Sequence, residues 1–374
     1  MHRFQAIEGV RGWLAWMVVL SHVGQILALD EHGGHAVWLP RLGEAGVMTF
    51  IVISGFVITN LVMEKREPYP VYLLRRAFRI FPAYWIAYAI ALAIFPLAVA
   101  SVPLLPLAGD PQNPWMSLIT QWQTALATHT ALMVSSHLAL LQGLIPDSFI
   151  PWAGSNVLGP AWSLTLEWQF YLIAPLMIWG LAKKAWRAPT IILIAAGAFI
   201  ARNNLIGVYY LPTVLPAAAY VFMIGIGCRL AFDELKKAAL PPETPLAALL
   251  LGFIFPSLLW LAIWLAVYSY LLNRERWSVH PIARVMHTLL ESGPARYCGA
   301  RSYSVYLFHL PILELVAWWL ALNVHPPLMT FALLLFAIAA AIILLVSDVS
   351  YRFVEQPCIR IGARLTRQRP PALA

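Results

Sequence analysis

Apolar runs of about 20 residues, the length of helix that crosses about 30 Å of hydrocarbon, recur along nearly the whole 374-residue chain. In that layer, which holds no water, each span must satisfy its own backbone hydrogen bonds. Hydrophobic residues make up 61% of the sequence and charged residues 11%, whereas a soluble domain averages about 25% charged residues. We therefore predict an all-α fold, a polytopic transmembrane helical bundle with no soluble domain.

The basic residues predict how the bundle is oriented. Lysines and arginines cluster in short loops, whereas segments 30–43 and 101–160 are nearly free of them, with Arg41 the lone exception. The positive-inside rule places both termini and the clusters in the cytoplasm, which predicts a multi-pass membrane protein. The predicted spans are 8–29, 44–63, 78–100, 161–182, 188–206, 212–232, 244–273, 301–322 and 327–350.

Two segments do not fit this pattern simply. Segment 244–273 has basic flanks at both ends and is interrupted by Gly252 and Pro256, so we expect two short spans or a re-entrant hairpin, which gives about ten spans in total. Segment 124–143 is weakly apolar, and we expect an outer-face or partly inserted helix there.

The net charge of +8 and the three cysteines exclude some classes of partner. Basic residues beside spans attract anionic headgroups or an anionic ligand, so we expect a lipid bilayer as a partner and no nucleic acid. The cysteines are far apart and odd in number, which fits neither a disulfide framework nor a metal site. We expect no bound metal, and the sequence leaves the oligomeric state open.

The first predicted span carries Glu8, Arg11 and His22 among apolar residues. From Arg11 to His22 a helix makes three turns plus about 20°, so both side chains share one face and lie about 16 Å apart along the axis. Counted from Glu8, His22 lies about 21 Å deep. Ionisable residues at such a depth usually line a cavity, which favours a functional role over a packing histidine bonded to a neighbouring helix.

The stretch WSLTLEWQFY at 162–171 repeats polar residues every four positions, at Ser163, Glu167 and Tyr171, so these residues share a helix face. If this helix enters from the outer side, Glu167 lies about 9 Å in, at the depth derived for His22. We expect Glu167 to orient or charge-stabilise the imidazole, or to bind an acceptor hydroxyl. The alternative is a structural carboxylate in an interfacial tryptophan girdle.

Arginines and a polar stripe mark two further spans. Arg76 and Arg79, in LLRRAFRIFPAYW, face the same way, and guanidinium pairs suit phosphate groups, although topological anchoring explains a single arginine equally well. Ser302, Tyr306 and His309, in SYSVYLFHLP, form a stripe on an apolar helix. The YRFVEQP stretch at 351–357 is interpreted as a helix stop.

Six stretches in this order resemble the bacterial membrane acyltransferase-3 family: EGVRGWLAWMVVLSH, GVMTFIVISGFVIT, RRAFRIFPAYW, WSLTLEWQFY, SYSVYLFHLP and YRFVEQP. They extend from residue 8 to residue 357. The resemblance implies a membrane acyltransferase domain at 1–357 followed by a basic cytoplasmic tail at 358–374. Met48 and Thr49 stand where a more aromatic run is common in the family, which leaves the local packing open.

The resemblance also implies roles for individual residues. His22 matches the family's essential first-helix histidine and Arg11 its arginine, while Arg76 and Arg79 match its R-x-x-R pair and Glu167 its W-S-L-x-x-E glutamate. We expect His22, Glu167 and Arg11 to be catalytic. The expected substrate-binding residues are Arg76, Arg79, Trp162, Ser163, Tyr171, Tyr303, Tyr306 and His309.

The implied function is O-acyl transfer, most often of acetyl, from cytoplasmic acyl-CoA to a hydroxyl of an extracytoplasmic or lipid-linked carbohydrate such as exopolysaccharide or lipopolysaccharide. Acyl-CoA is then a co-substrate, and no permanently bound cofactor is expected. His22 acts as general base, and an acyl-histidine intermediate remains the covalent alternative. A different class of function, a transporter of a sugar or lipid-linked substrate with His22 and Glu167 in its path, also explains buried ionisable residues.

Overall fold

The computed structural model describes residues 4–29, 38–106 and 114–366, and within these ranges the regular structure is entirely helical. The predicted all-α membrane bundle is confirmed. The helices are α1 (Gln5–Ile26), α2 (Trp38–Lys65), α3 (Tyr69–Ser101), α4 (Pro114–Thr128), α5 (Thr130–Leu138), α6 (Ala161–Ala182), α7 (Lys184–Arg202), α8 (Leu215–Leu235), α9 (Thr244–Ile254), α10 (Leu259–Asn273), α11 (Pro281–Glu291), α12 (Gly293–Asn323), α13 (Leu328–Ser350) and α14 (Gln356–Leu365).

Eight helical stretches within the described ranges are long and apolar enough to cross a membrane: α2, α3, α6, α7, α8, α10, α12 and α13, some with short extensions. The chain is therefore a multi-pass membrane protein. Helix α1 is less apolar because it carries Glu8, Arg11 and His22, yet it lies inside the bundle and packs against α2, α11 and α12. The prediction of about ten spans exceeds these eight by α1 and by the short apolar helix α9, neither of which is among the eight.

The helix ends define two faces of the bundle. We call the face at which α2, α6, α8 and α10 end the basic face, because the lysine and arginine clusters follow those ends. Lys236 after α8 contacts Glu275 after α10 at 3.1 Å, which ties two such ends together. The other face, at which α1, α3 and α12 end, is called the opposite face.

Segment 244–273 forms a helical hairpin. Helix α9 ends at Ile254, a 3₁₀ turn follows at Pro256–Leu258, and α10 packs back against α9. A β-carbon added at Gly252 would lie 2.6 Å from Cβ of Ala262, so the two helices approach closely at a small residue. The helices are about 16 and 22 Å long, shorter than the hydrocarbon layer. Both basic flanks therefore lie on one face, which resolves the conflict in the sequence.

The segment 114–160 covers the opposite face of α3, α6 and α12. The helix expected across 124–143 is two helices, α4 and α5, which meet at His129. Trp85 of α3 donates its indole N–H to the carbonyl of Leu138 (2.9 Å), and Thr165 of α6 donates its hydroxyl to the carbonyl of Leu140 (2.8 Å). These bonds fix the segment as a cap over the bundle.

The first part of the predicted tail is also ordered. Helix α14 packs on α3, where Gly362 lies against the side chain of Phe78. Arg75 of α3 donates to the hydroxyl of Thr366 at 2.7 Å and pairs with Glu67. The remaining predicted tail, 367–374, lies outside the described residues.

Helices α1 and α12 run side by side in the same direction and touch through glycines. A β-carbon added at Gly299 would lie 1.8 Å from the carbonyl oxygen of Glu8, and one at Gly12 would lie 2.9 Å from the amide nitrogen of Gly299. His22 and His309 are each ten residues beyond Gly12 and Gly299. Because parallel helices rise equally per residue, this contact sets the two histidines at one level.

Replacing Gly299 with alanine is expected to lower the melting temperature by about 2 °C or more, since overpacking costs about 1–3 kcal/mol. The measurement is thermal unfolding of the purified protein in detergent. The control is Gly227→Ala in α8, where an added β-carbon meets nothing within 4 Å. Equal stability of the two variants would contradict the proposed close contact.

Candidate active site

Two cavities follow one face of α1. The first, called the arginine cavity, encloses about 50 Å³ and is lined by Arg11, Ser54 and Glu167, among others. The second, called the histidine cavity, encloses about 340 Å³ near the end of α1 and the start of α2 and is lined by His22 and Trp162, among others. Arg11 and His22 therefore share a helix face, as their spacing predicts, but open into separate spaces.

A common wall separates the cavities, since Val47 and Tyr306 line both. The hydroxyl of Tyr306 donates to the carbonyl of Pro160 at 3.0 Å and lies 2.7 Å from Oγ of Ser163. The start of α6 and the middle of α12 are joined at this point. Two polar hydroxyl groups thus stand between the two cavities.

The imidazole rings of His22 and His309 lie with their centroids 5.0 Å apart. Nδ1 of His309 is 2.8 Å from the carbonyl oxygen of Tyr306 and 3.2 Å from that of Val305. Because a carbonyl only accepts, Nδ1 carries a proton, and Nε2 of a neutral ring is an acceptor. Nε2 of His309 and Nδ1 of His22 are both buried, and neither atom has a hydrogen-bond partner within the described residues.

The carboxylate of Glu167 accepts hydrogen bonds from Ser54 (2.8 Å) and Tyr171 (2.5 Å) in the wall of the arginine cavity. The depth estimate from the sequence places this carboxylate beside His22, but the structure does not. No hydrogen bond joins the two residues in the described part of the chain. Trp162, five residues earlier in α6, lines the histidine cavity instead. Glu167 is therefore closer to the basic face than His22.

The cap explains this difference in depth. The depth estimate assumes that α6 starts at the outer surface, but segment 114–160 covers that start. A β-carbon added at Gly159 would lie 2.8 Å from the side chain of Leu310 and 3.3 Å from the ring of Trp122. The first residues of α6 are consequently already at the level of His309, one residue before Leu310.

The arginines of α3 differ in their surroundings. Arg76 and Arg79 interact electrostatically with each other, and Arg76 also interacts with Glu167 and Tyr171. Arg79 and Glu167 both interact with Arg11. Nε of Arg76 is buried without a hydrogen-bond partner among the described residues. Unlike Arg75, which is held by Glu67 and Thr366, these two guanidinium groups face the interior of the bundle.

Glu355 joins this charged cluster, although the sequence is interpreted there as a helix stop. A π-helical turn at Tyr351–Glu355 directs the carboxylate inward, where it accepts a hydrogen bond from Ser304 and is 6% exposed. It also interacts electrostatically with Arg79 and Arg11. No sequence pattern predicts a π-turn; the available signal was a carboxylate beside an apolar span.

The predicted residues thus fall into neighbouring groups. No group of three or more His, Cys, Asp or Glu residues in the described ranges could hold a metal ion. The arginine cavity has Arg11, Ser163, Glu167, Tyr303 and Tyr306 in its wall; the histidine cavity has His22, Trp162 and Tyr306; His309 contacts His22; and Arg76, Arg79 and Tyr171 surround Glu167.

Comparison with known proteins confirms the resemblance seen in the sequence. Residues 4–346 match the acyltransferase-3 family, which is described as an acyltransferase domain. The chain belongs to this family. Both cavities lie within the matched residues, whereas Glu355 lies beyond them.

Three relatives are about a quarter identical to this chain over the aligned residues. The peptidoglycan O-acetyltransferase OatA of Listeria monocytogenes is 25% identical over 86% of this chain and 52% of its own length, so the chain spans about half of that protein. Nodulation protein 10 of Rhizobium leguminosarum is 24% identical, over 96% and 94% of the two chains. The acyltransferase MdmB of Streptomyces mycarofaciens is 24% identical, over 100% and 95%. No solved structure matches.

Replacing Glu355 with glutamine is expected to slow acyl transfer by roughly tenfold or more, about 1.4 kcal/mol, because a neutral amide no longer balances the charges of Arg79 and Arg11. The measurement is the acyl-transfer rate of membranes with equal amounts of protein. The control is Glu234→Gln, which alters an exposed pair with Lys237. Equal rates for the two variants would show that Glu355 only ends the helix.

Proposed function

We propose that this chain is an integral membrane O-acyltransferase that moves an acyl group, acetyl first of all, from cytoplasmic acyl-CoA to a hydroxyl of an extracytoplasmic or lipid-linked carbohydrate. One observation carries the proposal: two cavities at different levels along α1, one beside Arg11 and one beside His22, share a wall at Val47 and Tyr306. Two substrates entering from opposite sides of a membrane would meet at that wall. Membership of the family and the name of the Listeria relative, a peptidoglycan O-acetyltransferase, support the chemistry.

The donor enters from the basic face. Coenzyme A is a polyanion with phosphate groups, and guanidinium groups bind phosphate through paired hydrogen bonds. Arg76 and Arg79 are the interior-facing cations of α3, and the buried Nε of Arg76 is available for such a contact. The arginine cavity encloses only about 50 Å³, so the pantetheine arm requires the lining helices to move apart.

The acceptor enters the histidine cavity and presents a hydroxyl to His22. The imidazole takes the hydroxyl proton while the oxygen attacks the thioester carbonyl carbon. The hydroxyl of Ser163, which lies beside that of Tyr306 at the common wall, turns to donate to the oxyanion. The C–S bond then breaks, and the imidazolium returns the proton to the leaving thiolate. The products are an ester and free coenzyme A, and His22 ends neutral.

His309 acts through His22 and is therefore a positioning residue. Its Nδ1–H is committed to the backbone carbonyl of Tyr306, which leaves Nε2 as an acceptor near the His22 ring. When the two rings turn towards each other, a hydrogen bond from Nδ1 of His22 to this nitrogen would fix the tautomer, and the other ring nitrogen, on the side of Gln25, would act as the base. The orphaned buried atoms Nδ1 of His22 and Nε2 of His309 support this arrangement.

The orientation follows from the donor. Acyl-CoA is cytoplasmic, so the basic face is cytoplasmic, both termini lie inside, and the histidine cavity opens towards the outside of the inner membrane. This agrees with the distribution of lysine and arginine along the chain.

His22→Ala is expected to reduce acyl transfer by about 10²-fold or more, the usual contribution of a general base, while the protein still accumulates in the membrane. The measurement is transfer of labelled acyl groups from acyl-CoA to glycan. His287→Ala, at an exposed position of α11, is the control. Retained transfer in the His22 variant, or counterflow of a sugar in proteoliposomes without donor cleavage, would contradict the proposal.

Arg76→Gln and Arg79→Gln are each expected to raise the apparent KM for acyl-CoA by about tenfold, with a smaller change in kcat, because a charge-assisted phosphate contact is lost. Steady-state kinetics with varied donor at saturating acceptor measures this. Arg284→Gln, on the exposed side of α11, should leave the donor KM unchanged. An unaltered donor KM in both variants would make these arginines topological anchors only.

A further inference from the structure

The histidine cavity has a lining that the transfer chemistry does not explain. Its volume of about 340 Å³ falls in the range of about 300–1,000 Å³ typical of small-molecule sites. Besides the imidazole of His22, the wall of the cavity contains Ser21 and Gln25 of α1, Glu44 of α2 and the indole of Trp162. Three helices therefore direct hydrogen-bonding groups and one aromatic ring into a single space.

The charge of this lining differs from that of the arginine cavity, where Arg11 and Glu167 both stand in the wall. Among the described residues, Glu44 is the one acidic side chain in the wall of the histidine cavity, and no lysine or arginine lines it. Arg41, on the adjacent turn of α2, is paired with Glu44 at 2.9 Å and is not part of the wall. An anionic ligand in this cavity would meet a carboxylate and no guanidinium.

We propose, building on the function above, that the histidine cavity binds a neutral sugar ring, and that Glu44, Gln25 and Trp162 determine this specificity. Glu44 accepts hydrogen bonds from ring hydroxyls, and the Gln25 amide donates and accepts. Trp162 packs against the C–H face of the ring, as aromatic walls do in mostly apolar pockets. Uronates, sialic acids and phosphorylated sugars are excluded.

The geometry also explains how the sugar ring is placed next to the imidazole of His22. Gln25 is within hydrogen-bonding reach of the His22 ring, so a sugar held by its amide lies beside the catalytic imidazole. Gly43 allows α2 to approach α1, since an added β-carbon would lie 2.4 Å from Oγ of Ser21. Glu44, the next residue, therefore stands beside the ring-binding space. Glu44 is about half exposed, and because the described wall holds its carboxylate and no lysine or arginine, neutral hydroxyl donors are favoured over an anionic group.

The first test identifies the acylated residue. Surface glycans of a deletion strain and of the same strain carrying the full chain are compared by tandem mass spectrometry. The inference expects the acyl group on a neutral sugar. An acyl group on a uronic acid, a sialic acid or a phosphorylated sugar would overturn the inference but keep the proposed function. If no acyl group depends on the chain, the proposed function itself fails.

The second test measures kinetics on membranes that contain the full-length protein, with glycan from the deletion strain as acceptor and labelled acetyl-CoA as donor. Glu44→Gln is expected to raise the apparent KM for acceptor by about tenfold, with the donor KM within twofold of wild type. Trp162→Leu should act in the same direction. If Glu44 only held α2 in place, Glu44→Gln would not change the KM for acceptor separately from the KM for donor.

Two controls separate recognition from the loss of an ion pair. Arg41→Gln breaks the Arg41–Glu44 pair but keeps the carboxylate, and it should leave the acceptor KM within twofold of wild type. Glu234→Gln removes a comparable exposed carboxylate on the basic face and should change neither constant. An unchanged acceptor KM in Glu44→Gln, or an equal increase in Arg41→Gln, would overturn the assignment.

Discussion

The contact between α1 and α12 is the constraint on which the site depends. In lipid, apolar side chains gain little from meeting each other, so helices associate where small residues let their backbones approach. Gly12 and Gly299 provide that approach. Because two parallel helices rise equally per residue, the same contact sets the relative level of His22 and His309, which lie ten residues further along. A packing contact near one face thereby determines the distance between two imidazoles deep in the bundle.

The wall at Tyr306 divides the interior into two environments with different charges. On one side Arg11, Arg76 and Arg79 are balanced only in part by Glu167 and Glu355. On the other side the described lining holds one carboxylate and no cation. Charges interact strongly in a medium of low dielectric constant, so each cavity selects its ligand by charge. A polyanionic donor is thus drawn to the side that holds the arginines, whereas the described lining of the other side offers it no cation.

Much of this site could be predicted from the sequence, because helical periodicity fixes which residues share a face. The common face of Arg11 and His22, and the hairpin at 244–273, follow from spacing and from basic flanks. The depth of Glu167 in the bundle could not be predicted, because the cap at 114–160 buries the start of α6 and no sequence pattern indicates how thick that cap is. The inward direction of Glu355 could not be predicted either, because it depends on a π-turn, which carries no sequence signature.

The exception in the charge pattern of the loops has a local explanation. Arg41 is the lone basic residue of segment 30–43, where the positive-inside rule disfavours it. Its pairing with Glu44 makes the mouth of the histidine cavity nearly neutral without removing the carboxylate from the wall. The topological exception is therefore explained by local charge pairing, whereas the contact with the sugar is made by the carboxylate of Glu44 alone.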